Sequence, residues 1–441
     1  MSKQIAKTYV LNGLTANDVA KGIISGGHQT EAFFIQDLDD AYRRIEYFKR
    51  KMPRVQIFYA IKSNDNVPLL KLVAALGLGF DCATPGEIYK VLKLQVDPRS
   101  IIFASPLKPP QWMTYAKKSG LLYSTFDSSF ELKKIKQYWP DARLLIRIKV
   151  DSNSVYRLGD KFGCDYETEA IDLLDEAASL GIKVIGVAFH VGSVCFSFDS
   201  YVNGLRMAKA LFDFEAKSGR HMSVVDIGGG FLSEKNTDID EVSSLINIAL
   251  EEHFPDKTVQ IIAEPGRYIS DSSMVLYTSI NAVRWVEKNG EKINILYISD
   301  GKYGSLQYTE KWQTVSKLER NTDENHEDLY ETIIWGNSLD SADRVLPDIK
   351  VYLPQCTPQD WLVFPIRGAY SYVFGSMFAS VQLPQIRPVI SMELWKKIRG
   401  SDVFDPEDII ENPDITEPMP SNLPKVINIQ IHLKSNVLIN A

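Results

Sequence analysis

Cysteine is scarce in this chain, and its spacing fits no known metal or redox motif. Only four of the 441 residues are cysteine, and no two of them form a CxxC pair. This spacing excludes a zinc ribbon, a thioredoxin-type motif and a disulfide framework, so we expect no metal ion. Isolated thiols are typical of a reducing compartment, which predicts a cytoplasmic protein. The four residues are Cys82, Cys164, Cys195 and Cys356.

Long apolar runs and an excess of positive charge are also missing. No apolar run approaches the roughly 20 residues that a membrane-spanning helix requires. The first fourteen residues lack the apolar core of a signal peptide. The chain carries 49 basic and 56 acidic residues, a net charge of −7, which gives no electrostatic basis for nucleic-acid binding. We therefore expect a partner that is neither a membrane nor a nucleic acid, which favours a small-molecule substrate.

The chain does contain a regular alternation of short β-rich runs with amphipathic helical stretches. This pattern spans residues 38–270 and is typical of βα units around a parallel sheet. Eight such units predict an α/β fold, a closed (β/α)8 TIM barrel. The eight runs pass through residues 57–59, 79–81, 101–103, 122–124, 144–147, 187–189, 224–226 and 261–263.

The remaining residues, 1–37 and 271–441, have a different texture. β-Branched and aromatic residues recur in short segments with no helical crossover between them, as in Met274–Tyr277. This pattern predicts a second, mainly antiparallel β domain. Gly400–Pro424 is rich in proline and acidic residues, which predicts a surface loop without an assigned role.

Polar residues and glycines follow the apolar runs at their C-terminal ends. In TIM barrels the chemistry takes place at that face, because the βα loops meet there. One such residue could be placed there by chance, but a complete ring indicates a functional site. The ring consists of Lys62, Asp81, Ser105, Asp127, Arg147, His190, Gly228–Gly230 and Glu264.

Lys62 ends the apolar stretch Phe58–Ile61 and is followed at once by polar residues. Two interpretations remain open from this local pattern. The lysine is either a solvated residue that begins a loop or a reactive amine at the mouth of a pocket. Burial lowers the pKa of a lysine, which would make its free amine available for a Schiff base.

Two motifs after the seventh and eighth runs predict an anion site. Consecutive glycines at 228–230 let backbone N–H groups approach a phosphate, although a tight turn would explain them equally well. Glu264–Arg267 adds a glycine and an arginine, and Ser193 could add a hydroxyl group. Pyridoxal phosphate needs an amine, a phosphate cradle and a carboxylate facing its ring nitrogen, and an imidazole such as His190 can stack on its ring.

The motifs taken together resemble the ornithine decarboxylase family, which has the alanine-racemase-like fold type of pyridoxal-phosphate enzymes. The resemblance runs in order from about residue 8 to about residue 380. The segments that carry it are Tyr59–Asn64, Phe80–Ala83, His190–Ser193, Asp226–Gly230, Glu264–Arg267 and Gly368–Tyr370.

The resemblance implies a role for each of these positions. Lys62 would form the Schiff base, His190 would stack on the ring, and Glu264 would pair with the ring nitrogen; these three are the expected catalytic residues. Asp81, Glu87 and Arg157 would lie near the Schiff base. The phosphate would be held by Ser193, Gly230, Gly266, Arg267 and Tyr370.

The resemblance also implies a homodimer whose two active sites lie at the interface. The segment Trp335–Asp340 would complete the partner's site, with Tyr303 and Phe378 nearby. The expected substrate-contacting residues are Glu87, Tyr303, Trp312, Leu339, Asp340 and Phe378.

Two positions depart from the family pattern. Leu339 occupies the place of a cysteine that helps to return a proton to Cα, and an ungapped count places Trp312 where the family has an aspartate that pairs with the distal ammonium of ornithine. Leucine cannot donate a proton, and an unpaired buried ammonium is costly. We therefore expect a more apolar pocket that is not optimal for ornithine, with an aldehyde as a possible side product.

Three functions remain open from the sequence. The first is decarboxylation of an L-amino acid to an amine and CO2, although the sequence names neither the amino acid nor the proton donor. The second is a non-catalytic regulator of polyamine metabolism that binds antizyme, as antizyme inhibitors do. The third, a racemase, lacks an identifiable second base.

Overall fold

The computed structural model describes residues 6–232, 236–308, 314–318 and 328–420. The chain begins with strand β1 (Thr8–Leu11), helix α1 (Ala16–Ser25), strand β2 (Phe33–Asp37) and helix α2 (Leu38–Lys51). Asp37 caps α2, because its side chain accepts hydrogen bonds from the amides of Asp39 and Asp40. No helix among the described residues is both long enough and apolar enough to cross a membrane.

A closed barrel of eight parallel strands follows, in the spatial order β11-β12-β3-β4-β5-β6-β7-β9. Each of the eight predicted runs forms one of these strands, so the predicted (β/α)8 barrel is confirmed. Two further strands, β8 and β10, form a separate antiparallel pair. The strands are β3 (Val55–Ala60), β4 (Gly79–Cys82), β5 (Ile101–Phe103), β6 (Tyr123–Phe126), β7 (Arg143–Ile148), β8 (Ser154–Tyr156), β9 (Lys183–Phe189), β10 (Ser193–Cys195), β11 (Val224–Asp226) and β12 (Gln260–Ala263).

Helices cover the outside of the barrel, and strand residues alternate between its interior and these helices. Leu145 packs inside the barrel against Ile102, whereas its neighbours Leu144 and Ile146 pack in the large core under the helices. The helices are α3 (Val67–Ala75), α4 (Pro85–Leu92), α5 (Pro110–Lys118), α6 (Ser129–Tyr138), α7 (Ala170–Ser179), α8 (Asp199–Lys217), α9 (Asn236–His253) and α10 (Arg267–Ser270).

An eleven-stranded sheet forms the second part of the molecule. The long strand β13 pairs in antiparallel fashion with β2, β14 and β19, as the sequence predicts. The sheet also contains parallel pairs, because β20 returns beside both β1 and β2. Its remaining elements are β13 (Met274–Lys288), β14 (Glu291–Ile298), β15 (Ser316–Lys317), β16 (Leu329–Trp335), β17 (Arg344–Val345), β18 (Val351–Pro354), β19 (Trp361–Phe364), β20 (Gln385–Ser391), α11 (Met392–Ile398) and β21 (Ile409–Glu411).

The segment that we predicted to be a surface loop, Gly400–Pro424, is partly built into this sheet. Strand β21 pairs in parallel with β1, and Met419 packs into the core that contains Val19. The described part, which ends at residue 420, is mostly exposed, as expected for a surface segment, but it contains a strand that the sequence did not predict. The sequence pattern did not indicate this strand, because proline and acidic residues surround its two apolar residues, Ile409 and Ile410. Its partner, β1, lies at the other end of the chain.

Candidate active site

Lys62 lies at the C-terminal end of β3, in a single helical turn formed by Ile61–Ser63. Its Nζ forms an ion pair with Asp81 at the end of the neighbouring strand β4. The strand register places Ala60 beside Asp81, so the two side chains meet at the same edge of the barrel. Asp81 is buried, and its Oδ1 has no hydrogen-bond partner among the described residues.

The ion pair determines the protonation of Lys62. Burial lowers the pKa of this amine, but the carboxylates of Asp81 and Glu264 outweigh that effect and raise the pKa above its ordinary value. Our expectation of a lowered pKa is therefore wrong. The local sequence shows the apolar strand but not the acidic neighbour on β4.

Glu264 follows β12 and aims a free oxygen into the same space. The residue is 7% exposed, and its Oε1 has no hydrogen-bond partner within the described part of the chain. Burial raises the pKa of Glu264 well above its usual value, and the nearby carboxylates of Asp226 and Asp81 raise it further. The lone acceptor Oε1 can take a hydrogen bond from a ligand N–H group.

His190 follows β9 and lies beside Glu264. Its Nδ1 accepts a hydrogen bond from the Gly192 amide at 3.0 Å, which places the ring proton on Nε2. Burial and the cations Arg147 and Lys62 lower the pKa of His190 well below its usual value, so the imidazole is neutral. A Cβ at Gly229 would lie 3.0 Å from Nε2 of this ring and 2.8 Å from the Glu264 carbonyl oxygen. Glycine is therefore required for this close approach.

Ser193, Arg267 and Tyr370 form a second polar cluster at this face. Arg267 donates from Nε to the Ser193 hydroxyl oxygen at 3.4 Å, and its guanidinium lies 5.0 Å from the Tyr370 ring centroid. Tyr370 is held by its backbone amide, which donates to the Ser63 carbonyl at 2.9 Å. Gly266 allows this packing, since a Cβ there would lie 2.9 Å from Ser63. A guanidinium and two hydroxyl groups form a donor set suited to a phosphate.

Gly230 lies between these two clusters and has φ of +107°, a conformation that favours glycine. A Cβ at this position would lie 2.6 Å from the Gly192 carbonyl oxygen and 2.9 Å from the Tyr201 hydroxyl group. The turn after β11 therefore depends on glycine for its shape, as well as for any contact with an anion.

The resemblance gives a role to one arginine, Arg157, and none to another, Arg147. Arg157 is 60% exposed, and its ion pair is with Asp160 in the same loop, so the single chain does not bring it to Lys62. Arg147, at the end of β7, is the arginine whose charge acts on His190, Glu264 and Asp226. We listed Arg147 in the strand-end ring but gave it no role. Its position at a strand end was the signal that identified it.

Glu87 lies near Lys62, as expected. It belongs to the first turn of α4, where its amide donates to the Thr84 hydroxyl at 3.2 Å, and its carboxylate accepts from the Ala83 amide at 2.6 Å. Burial raises the pKa of Glu87, while the Lys62 charge lowers it. The carboxyl group is thus fixed near the amine.

The predicted substrate residues of the sheet form a separate, exposed cluster. Tyr303 donates its hydroxyl group to Asp340 at 2.7 Å, and its ring packs against Phe378 with centroids 4.6 Å apart. Leu339 is fully exposed in the single chain. Trp312, the remaining predicted substrate residue, lies outside the described residues.

The barrel cluster fits pyridoxal phosphate on its own donor chemistry. An amine, a buried acceptor without a partner, a neutral imidazole and a phosphate-type donor set occupy one face of one barrel. These are the groups that this cofactor needs for its aldehyde, its ring nitrogen, its ring face and its phosphate.

Comparison with known proteins agrees with this geometry. Residues 38–271 match the model of the pyridoxal-dependent decarboxylase, pyridoxal binding domain, and residues 191–368 match that of the pyridoxal-dependent decarboxylase, C-terminal sheet domain. Ornithine decarboxylase of Rattus norvegicus is 37% identical over 428 residues, covering 92% of each chain. Antizyme inhibitor 2 of Xenopus laevis is 36% identical over 406 residues, covering 88% of each chain.

Solved structures show the same architecture. The arginine decarboxylase of Paramecium bursaria Chlorella virus, determined with bound agmatine, superimposes with a TM-score of 0.79 at 31% identity, covering 85% of this chain and all of that one. Sequence matches, fold and donor set agree. The chain therefore belongs to the ornithine decarboxylase family of decarboxylases, whose cofactor is pyridoxal phosphate.

Proposed function

We propose that this decarboxylase acts on an L-amino acid, releasing CO2 and forming the amine, with a pocket that is not optimal for ornithine. The observation that supports decarboxylation most strongly is the ion pair between Lys62 and the buried Asp81, beside the unpartnered Oε1 of Glu264. When bound, pyridoxal phosphate supplies an electron sink for the charge left at Cα as CO2 departs.

The residues of the barrel bind and orient the reacting groups. Lys62 supplies the amine that holds the cofactor, and Asp81 fixes the direction of that amine. Glu264 accepts a hydrogen bond at the ring nitrogen, where its carboxylate stabilises positive charge. His190 offers a neutral ring face, which excludes water from the cofactor ring. Because the imidazole is uncharged, it does not repel the positive charge at the ring nitrogen. Arg267, with Ser193 and Tyr370, binds the phosphate.

The substrate specificity depends on residues of the sheet. Asp340 is held by Tyr303, and hydrogen bonds from Ala342 and Tyr303 lower its pKa, so it is ionised and can face a cationic group. Leu339 beside it is apolar and cannot donate a proton. The proton that Cα needs after CO2 leaves therefore comes from Lys62 Nζ or from water. If this return is slow, the proton would go to the cofactor instead, and hydrolysis by water would release the aldehyde with the amino group left as pyridoxamine phosphate.

We further propose that two copies of the chain form a homodimer with shared active sites. Leu339 and Phe378 are large apolar side chains exposed in the single chain, which is typical of a surface that a partner covers. In the dimer this surface would complete the barrel site of the other copy. Sedimentation of the purified protein tests the stoichiometry, and a monomer that is fully active would contradict it.

A panel of amino acids tests the substrate proposal. The purified protein is incubated with each L-amino acid, the CO2 released is measured, and amine and aldehyde are distinguished by mass. We expect turnover with at least one amino acid and a lower kcat/KM for ornithine. The apolar-pocket proposal is wrong if ornithine has the highest kcat/KM.

A second candidate is a non-catalytic regulator that binds antizyme, since antizyme inhibitor 2 of Xenopus laevis is among the relatives. The residues suited to the cofactor argue against this function, because one face of the barrel carries all of them: Lys62, Asp81, Glu264, Arg267 and Tyr370. A protein that shows no cofactor absorbance after addition of pyridoxal phosphate, but binds antizyme, would favour the regulator.

A further inference from the structure

We propose that Asp226 is a positioning residue for Glu264, and that the two carboxyl groups share a single proton in the cofactor-free protein. Asp226 lies at the end of β11, the strand beside β12. The strand register sets Asp226 opposite Ile262, two residues before Glu264, and a hydrogen bond with the Glu264 side chain lowers the pKa of Asp226 against the effect of burial. Two carboxyl groups can form a hydrogen bond only if one of them carries a proton.

The backbone fixes both members of the pair. Asp226 is 2% exposed, and its Oδ1 accepts a hydrogen bond from the Gly228 amide at 2.9 Å. The Glu264 amide donates to the Gly228 carbonyl at 2.7 Å. Gly228 therefore holds both carboxyl groups, one through its N–H and one through its C=O. The Oε1 of Glu264 has no hydrogen-bond partner among the described residues and can face the site.

The charges around the pair also require a proton. Arg147 acts on both carboxyl groups and Lys62 acts on Glu264, while Asp81 adds a third negative charge beside these two. His190 is neutral. Three carboxylates and two cations would leave one net negative charge in a buried site, which is unfavourable. Burial raises the pKa of both Asp226 and Glu264, so one proton is retained.

The arrangement has a consequence for cofactor binding, which rests on the proposed role of Glu264 at the ring nitrogen. Asp226 fixes the Glu264 carboxyl group in one orientation before the cofactor arrives. The same pairing allows the two carboxyl groups to lose their shared proton when a positively charged group, such as a protonated ring nitrogen, binds at Oε1 of Glu264. The pair thus adjusts the charge of the site without moving a side chain.

Infrared spectroscopy of the cofactor-free protein tests the shared proton. Bound cofactor is removed with hydroxylamine, and the carboxylic C=O band is followed against pH in the wild type and in Glu264→Gln. We expect a band in the wild type near neutral pH that is lost in Glu264→Gln. The proposal is overturned if the two spectra are the same in this region.

The variant Asp226→Asn tests the positioning role. An amide removes the negative neighbour and donates to Glu264, so the midpoint of the carboxylic band should move to lower pH by at least about one unit. Asp226→Glu keeps a carboxyl group and should retain the band. An unchanged midpoint in a folded Asp226→Asn protein would overturn the proposal. If that variant fails to fold, the comparison with Glu264→Gln still decides the question.

Asp172→Asn is the matched control, because it removes an exposed carboxylate on α7 and should leave the band unchanged. The measurement needs neither bound cofactor nor turnover. Failure of the proposed decarboxylation would appear separately, as a wild-type protein that releases no CO2 from any amino acid.

Discussion

The molecule carries its functional residues in two regions that differ in burial. The barrel cluster around Lys62 is enclosed within one chain, and its acidic members Asp81 and Glu264 are almost fully buried. The sheet cluster around Asp340 is open, with Leu339 fully exposed and Phe378 45% exposed. One region is complete in a single chain, and the other presents side chains outward.

The difference separates cofactor chemistry from substrate choice. A buried cluster of charges tolerates little change, because each removed partner leaves an unpaired charge in a low-dielectric site. An exposed cluster can change a side chain at a much smaller cost to folding. Leu339, one of the departures from the family pattern, lies outside the barrel, where we expect substitution to affect substrate specificity rather than the cofactor site.

The largest effect is expected from Lys62→Ala, which removes the amine of the barrel cluster. This variant should lose both the cofactor absorbance and all measurable turnover, because no other described amine is paired with Asp81. Spectra and CO2 release are measured together. Lys90→Ala, which removes a lysine paired with Asp65 at the surface, is the control and should retain both. Turnover in Lys62→Ala would overturn the assignment of the barrel cluster.

A smaller effect is expected from Arg267→Ala within the same cluster. Loss of a charge-assisted hydrogen bond costs about 1.5–3 kcal/mol, so the cofactor Kd should rise roughly 10- to 100-fold. The measurement is a fluorescence titration of cofactor-free protein. Arg157→Ala removes an exposed arginine and should leave the Kd unchanged. An equal loss of affinity in Arg157→Ala would restore Arg157 as a cofactor residue.

The eight barrel strands could be predicted from the sequence because each is a short apolar run between helical patterns. The strand ends could be predicted for the same reason, and they identified Lys62, Asp81, His190 and Glu264. The sign of the Lys62 pKa shift could not be predicted, since it depends on the strand register that places Asp81 beside Ala60.

Two other features depend on contacts that the local sequence does not encode. The contact between the Asp226 and Glu264 side chains depends on the parallel register of β11 and β12, which sets Asp226 opposite Ile262, and neither local sequence shows that register. Strand β21 could not be recognised from the sequence, because polar residues surround it. Its partner, β1, lies at the other end of the chain, so the pairing depends on a long-range contact.

The motif around Arg157 resembles the family, but the residue is exposed in the single chain, so its role near the Schiff base stays a prediction. The strand-end position is the signal for Arg147, whose charge acts on His190 and Glu264.

Mixing two inactive variants tests whether each active site combines the barrel cluster of one chain with the sheet cluster of the other chain. Lys62→Ala lacks the barrel amine, and Asp340→Ala lacks the carboxylate of the sheet cluster. Random assortment should restore about a quarter of the wild-type activity, because half of the dimers then contain one intact site. CO2 release is compared before and after the subunits exchange. If the subunits exchange but no activity returns, both clusters of an active site belong to the same chain.

The smallest effect is expected from Leu339→Cys, which alters only the exposed cluster. A thiol at this position can return a proton to Cα, so the ratio of amine to aldehyde should rise, and kcat should increase by several-fold. Products are identified by mass with the best substrate found in the amino-acid panel. The cofactor absorbance should not change, because Leu339 lies outside the barrel cluster.

Leu339→Ser is the matched control for this change. Serine has a similar size to cysteine, but its hydroxyl group is a far weaker acid, so it should leave the ratio of amine to aldehyde close to that of leucine. An equal gain in Leu339→Ser would show that side-chain size, rather than proton return, limits the reaction. A changed cofactor spectrum in either variant would mean that the exposed cluster also shapes the cofactor site, and the separation between the two regions would not hold.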